Sequence, residues 1–157
     1  MNFMGNTNDL LLAYPSMKQV ALSESVNVML PPQFYTLKKE SLPLQYAFQA
    51  KKIAPSLFEG LLEEGDAYEY MVWKEDDQWV FLAYDLSKIT SFLESKGFAL
   101  EHVDKVFFAQ QSAQKFDKPL LLDDNEALVL LDETVVVVPR AALGEDQVAT
   151  LKVDNSF

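Results

Sequence analysis

Residues 68–85 read YEYMVWKEDDQWVFLAYD, two apolar runs parted by the acidic patch Glu75-Asp76-Asp77-Gln78. In the first run both Tyr70/Val72 and Met71/Trp73 are apolar, and Trp79 to Tyr84 repeats the pattern. A strand with one wet face alternates apolar with polar residues, so a near-continuous apolar run wants both faces covered. The stretch therefore predicts an antiparallel hairpin in the middle of a sheet, with its acidic turn in water. Asp85 follows as a good helix N-cap, Leu86, Ile89 and Leu93 form a stripe with Phe92 alongside, and Gly97 suits the residue just past a helix end. DKVFFAQ (104–110) then reads as another buried strand. Hairpin, helix and strand in that order make an α/β crossover, with the helix on one face of the sheet.

The flanking regions extend this reading. Leu10 to Tyr14, Gln19 to Leu22 and Val26 to Leu30 are apolar stretches ended by Pro15-Ser16, Ser23-Glu24-Ser25 and Pro31-Pro32, and FYTLKK follows. Runs of that length bounded by proline and serine read as strands in a meander. From Pro43 to Gly65 the apolar spacing turns helical. Pro43 and Pro55 each suit a first turn, which predicts two helices, the second carrying Leu57, Phe58, Leu61 and Leu62. The tail predicts three short strands with turns at 123–125 and 132–133. Its four consecutive valines, Val135 to Val138, end at Pro139. Residues 146–157 lack a strong period and read as a loosely held extension. The expected fold is α/β (α+β): one lobe over residues 1–145, a mixed sheet with helices packed on it.

A chain of 157 residues can bury a core without disulfides or metal staples, and it has no cysteine to form them. Its net charge of −11 repels phosphate backbones and anionic headgroups, which excludes a nucleic-acid partner and a polybasic membrane contact. The same charge fits a basic protein partner, and equally serves solubility. The N-terminus lacks a signal-peptide pattern and no apolar run is long enough to span a bilayer, so the expected compartment is the cytoplasm.

No catalytic constellation is legible. The glycines form no phosphate-binding loop, and His102 is the only histidine. The clusters Glu63-Glu64, Asp76-Asp77 and Asp123-Asp124-Glu126 do not fit a calcium loop and read as solvated turns. Lys38-Lys39 and Lys51-Lys52 are isolated pairs. The expectation is a protein that is not an enzyme, with no catalytic residue, cofactor or metal site.

The segment LPLQYAFQAKKIAPSLFEGLLEEGDAYEYMVW, with WVFLAYDLSKITSFLESKG after the acidic turn, resembles actin-like assembly proteins. These are the PilM-type proteins of type IV pili and the cytoplasmic domain of the L component of type II secretion systems. The downstream KPLLLDDNEALVLLDETVVVVPRAAL, with Arg140 at its end, is similar too, so the resemblance spans about residues 26 to 142. It implies an actin-like (ribonuclease-H-like) lobe acting as a scaffold in a secretion, pilus or DNA-uptake (natural transformation) apparatus. Such a scaffold would dock a motor ATPase or an inner-membrane component, at the inner face of the inner membrane.

One departure bears on nucleotide. Family members that bind ATP carry Asp-x-Gly after the first strand, where this chain reads AYPSMK (13–18). A nucleotide- or small-molecule-binding lobe is therefore the alternative reading rather than the leading one. The L component also joins its cytoplasmic domain to a membrane helix that is not present in this chain. The resemblance implies either a soluble piece of a longer protein or recruitment through a partner. The residues expected to meet that partner are Glu75, Asp76 and Asp77 at the acidic turn. Val135, Val136, Val137 and Val138 join them if their strand is an exposed edge rather than an internal core strand.

Overall fold

In the computed structural model, which describes residues 9–63, 68–115, 119–143 and 149–150, strands and helices follow one another in a fixed order. They are β1 (Asp9–Leu12), β2 (Val26–Leu30), β3 (Thr36–Glu40), α1 (Ala47–Leu57), β4 (Tyr68–Glu75), β5 (Gln78–Asp85), α2 (Leu86–Ser95), β6 (Val103–Phe108), β7 (Leu120–Leu121), β8 (Glu126–Leu131), β9 (Thr134–Pro139) and β10 (Ala149–Thr150). Packing divides the chain into two compact units, Phe34–Thr90 and Met1–Gln33 with Ser91–Phe157. The α/β class read from the sequence holds, with the strands shared among three sheets.

The discontinuous unit holds two of them. In the first, β2 lies between β1 and β6, all parallel. Its central place explains why VNVML is buried along its whole length. The predicted meander is thus corrected: β1 and β2 run the same way, joined by residues 13–25, and Gln19 to Leu22 form no strand. A parallel neighbour needs a long return, which that proline- and serine-broken loop supplies. The second sheet runs β10-β7-β8-β9, with β8 and β9 closed by Asp132 and Glu133 at φ 50° and 65°. Two left-handed residues make the turn whose twist suits a hairpin. Leu10, Met29, Ala109, Leu120, Leu128 and Val135 meet in the core of this unit. Of the extension 146–157, only Ala149–Thr150 lies among the described residues, where it pairs in parallel with Leu120–Leu121.

The continuous unit is an antiparallel sheet, β3-β5-β4, with α1 against it. The expected hairpin is present, with Glu75 paired to Gln78, but only β5 is central. Residues 79–83 of β5 are buried, whereas β4 is an outer strand and mostly half-buried. Tyr68, Tyr70 and Val72 form the face of β4 that packs with α1, with Phe58 just past the helix stacked on Tyr70 at 5.9 Å between ring centres. Pro55 does not split the region. It sits in the last turn of the single helix α1, where it forfeits one backbone bond while Ala50, Ala54 and Phe58 are buried against Trp79 and Phe81. Lys38 donates to the Leu57 carbonyl at 3.3 Å, putting a cation at the helix C-terminus. The predicted terminator Gly65 lies outside the described residues.

After β5, Asp85 caps α2 as expected, accepting from the Lys88 N–H at 3.2 Å. Gly97, at φ 90°, ends it: the Phe98 N–H reaches the Leu93 carbonyl at 2.9 Å and the Gly97 N–H reaches that of Glu94 at 3.1 Å. The following strand is a second correction. β6 pairs with β2 in the parallel sheet, not with the hairpin, and as an outer strand it leaves Asp104, Lys105 and Val106 exposed. A buried-strand reading of DKVFFAQ overweighted Val106, Phe107 and Phe108 and underweighted the two charges before them.

Candidate functional site

The acidic turn belongs to the continuous unit, and its three carboxylates are not equivalent. Asp76, at φ 52°, and Asp77 are exposed. Glu75 is held by its neighbours: Lys39 Nζ lies 3.7 Å from one oxygen, and the Trp73 indole N–H donates to the other at 3.1 Å. The turn therefore offers two free-standing aspartates and one carboxylate already engaged. Further along the hairpin, Tyr84 donates to Glu69 at 2.9 Å. Burial, this bond and the adjacent negative charge push its phenol up to about 12.

Val135 to Val138 lie in the other unit, on β9, the outer strand of its sheet. Val135 is buried, at 2% exposure, and Val136, Val137 and Val138 are half-buried. Leu131 pairs with Thr134 across the two-residue turn, so by alternation of the ladder the backbone of Val135 and Val137 faces away from β8. The Val135 N–H does not stay open. It donates to Gln110 Oε1 at 2.8 Å, while Gln110 Nε2 donates to the Glu133 carbonyl at 2.9 Å. One buried side-chain amide thus bridges the groups on either side of Thr134, as a residue of a parallel neighbour would. Pro139 has no N–H to offer, so among the described residues the part of this edge left to another strand is short. Sequence reasoning missed Gln110, because nothing in FFAQQS distinguishes a surface glutamine from one turned inward.

A third contact, also missed, joins residues far apart in the chain. The Ser16 hydroxyl donates to Asp123 Oδ2, and Asp123 Oδ1 accepts from the Asn125 and Glu126 N–H groups at 2.8 and 2.9 Å. The serine bond first, and the backbone donors after it, hold the Asp123 carboxyl below its usual value of 3.8. A depressed folded value adds stability above pH 3.8 that is lost as the pH falls through the folded value. Ser16→Ala should therefore melt below the wild type at pH 7, with the gap closing in acid. Melting curves from pH 7 to pH 2 check this, and a gap independent of pH would refute it.

Elsewhere the chemistry is sparse. His102 closes a short turn, with Nε2 4.0 Å from Glu101. Among the described residues no three histidines, cysteines or carboxylates gather as metal ligands would, and no helix is long and apolar enough to cross a membrane.

A three-stranded antiparallel unit set into the chain between two neighbouring parallel strands is thus the architecture of this α/β protein. No protein-family model and no curated protein sequence matches the chain. The fold is nonetheless shared with a solved structure, the cytoplasmic domain of EpsL, an inner membrane component of the type II secretion system of Vibrio cholerae. That match has a TM-score of 0.56 at 20% identity, and covers 78% of this chain and 54% of that one. The chain thus spans about half the length of the EpsL domain, and the resemblance read from the sequence holds at the level of the fold. A protein with an actin-like ATPase fold from Bacteroides thetaiotaomicron aligns over 73% of this chain and 46% of its own. Its TM-score of 0.32 at 11% identity is too low to define a shared fold.

Proposed function

We propose that this chain is a non-enzymatic interaction module of a type II secretion, type IV pilus or DNA-uptake apparatus. It works at the inner face of the inner membrane, where it docks a motor ATPase or a membrane-anchored component. The observation that carries this reading is the fold shared with the EpsL cytoplasmic domain over 78% of the chain. Recognition works through the exposed Asp76 and Asp77, which steer a basic surface, and through the short open edge of β9. The loop after β1, where nucleotide-binding relatives would carry Asp-x-Gly, is instead tied to Asp123 through Ser16, which supports a scaffold over a nucleotide-binding lobe.

Crosslinking in the cells that make the protein, followed by purification through a tag, should enrich a motor ATPase or membrane component of such an apparatus. Asp76→Lys with Asp77→Lys should cut that recovery by about fivefold or more, since each steering charge is reversed. In parallel, saturating Mg-ATP should leave the melting temperature unchanged. Recovery of abundant chaperones alone would overturn the docking reading, and a Mg-ATP shift of several degrees would replace it with the nucleotide-binding one.

A further inference from the structure

Between Glu40 and Glu59 the chain carries no carboxylate, although 24 of its residues are acidic. The gap coincides with α1 and its approach. The helix turns Ala50 and Ala54 into the core beside Phe58, so Phe48, Lys51, Lys52 and Pro55 stand on the opposite, exposed face. Tyr46 and Phe48 are 56% and 61% exposed, and their rings stack on each other at 5.6 Å with planes 12° apart. Lys52 Nζ lies 6.0 Å from the centre of the Phe48 ring. Neither Lys51 nor Lys52 forms an ion pair among the described residues, whereas Lys38, Lys39 and Lys88 each do.

A solvated helix face ordinarily mixes both signs of charge and keeps large rings out of water. Here two aromatic rings and two ammonium groups without an ion pair among the described residues share a stretch of chain without a carboxylate, on a protein whose net charge is −11. We propose that this face of α1 docks an acidic segment of another protein, one in which an aromatic or large apolar side chain is flanked by carboxylates. The stacked rings supply a rigid platform that loses little conformational freedom on binding. Lys51 and Lys52 supply the complementary charge, and the lack of carboxylates in residues 41–58 lowers the repulsion that an acidic partner meets elsewhere on this chain.

Other occupants fit less well. A second copy of the chain brings another −11 against the first. An anionic membrane gains only about 30-fold in partitioning from two lysines, against the repulsion of the remaining charge. The inference goes beyond the docking role proposed above and does not depend on it, because it concerns a surface of opposite charge and a probe needing no other component of the apparatus.

The test is fluorescence polarisation with the purified full chain and a labelled peptide in which one phenylalanine is flanked by glutamates. Saturable binding is expected with Kd on the order of 10–100 μM, weakening as salt rises. Lys51→Glu with Lys52→Glu should weaken it by about tenfold or more, and Phe48→Ala by about tenfold. Asp76→Lys with Asp77→Lys should not weaken it. All these positions are exposed, so each variant should keep the circular dichroism spectrum of the wild type. No binding, or equal binding by the Lys51/Lys52 variant, would overturn the proposal. So would binding to phosphatidylglycerol vesicles through the same residues with the peptide ignored.

Discussion

Gly97→Ala is expected to destabilise the protein by about 3 kcal/mol or more, lowering the melting temperature by roughly 6–12 °C. Two causes act together. Gly97 sits at φ 90°, where a side chain is strained by about 1–2 kcal/mol. A Cβ built there would also stand 2.1 Å from the Val20 carbonyl oxygen, and that atom is backbone. The carbonyl has little room to retreat. The Val20 N–H donates to the Lys96 carbonyl at 2.8 Å, Lys96 Nζ donates to the Met17 carbonyl at 2.9 Å, and Gln19 Nε2 donates to that of Ser95 at 3.1 Å. The loop before β2 is therefore clamped to the end of α2, and alanine would pry the two apart. Gly60→Ala is the control, because Gly60 has φ 79° and nothing within 4 Å of a Cβ. It should cost only the backbone strain, about 1 kcal/mol. Equal losses for the two variants in urea unfolding would show that the close approach to Val20 contributes nothing.

The second large effect is at Gln110. Gln110→Leu keeps the approximate volume but removes both bonds to the backbone of β9, leaving the buried Val135 N–H without its acceptor. A loss of about 2–4 kcal/mol is expected, since stranding a buried donor costs its full desolvation. The damage should also be local. Hydrogen exchange at Val135 should accelerate more than at Val28 in the centre of the parallel sheet. An open edge of valines should further raise the tendency to aggregate. Unchanged stability together with unchanged exchange at Val135 would refute the role given to Gln110.

Much of the local structure was legible because it rests on neighbours in sequence. The hairpin at Glu75–Gln78, the capped helix from Asp85 to Gly97 and the β8–β9 turn each carry their own turn or cap residues. What escaped rests on distant partners. The apolar runs of β4 and β5 look alike, yet one is central and one is outer, and only their neighbours β3 and α1 decide which. Likewise Leu10 to Tyr14 and Val26 to Leu30 read as strands, but nothing in either says that they run parallel. Of the candidate site, the exposed Asp76 and Asp77 were plain from the turn. The engagement of Glu75 by Lys39 and Trp73 was not, nor was that of Val135 by Gln110, because each joins elements that only the fold brings together.

The insertion of Phe34–Thr90 between β2 and β6 bears on how the chain reaches this fold. Val28 must find Val106 across the whole inserted stretch, which for an unfolded chain is a distant and slow loop closure. The inserted sheet needs a shorter search. β4 and β5 are joined by a tight turn, Lys38 of β3 meets Phe81 over a shorter stretch of chain than parts Val28 from Val106, and Phe81, Trp79 and Phe58 form a core of their own. If that sheet collapses first, the loop left to close is a folded knot of structure rather than a long flexible thread, and the entropy of joining β2 to β6 falls accordingly. The order of assembly then departs from the order of the strands: the middle of the chain folds first, and the strands on either side of it in the sequence pair afterwards.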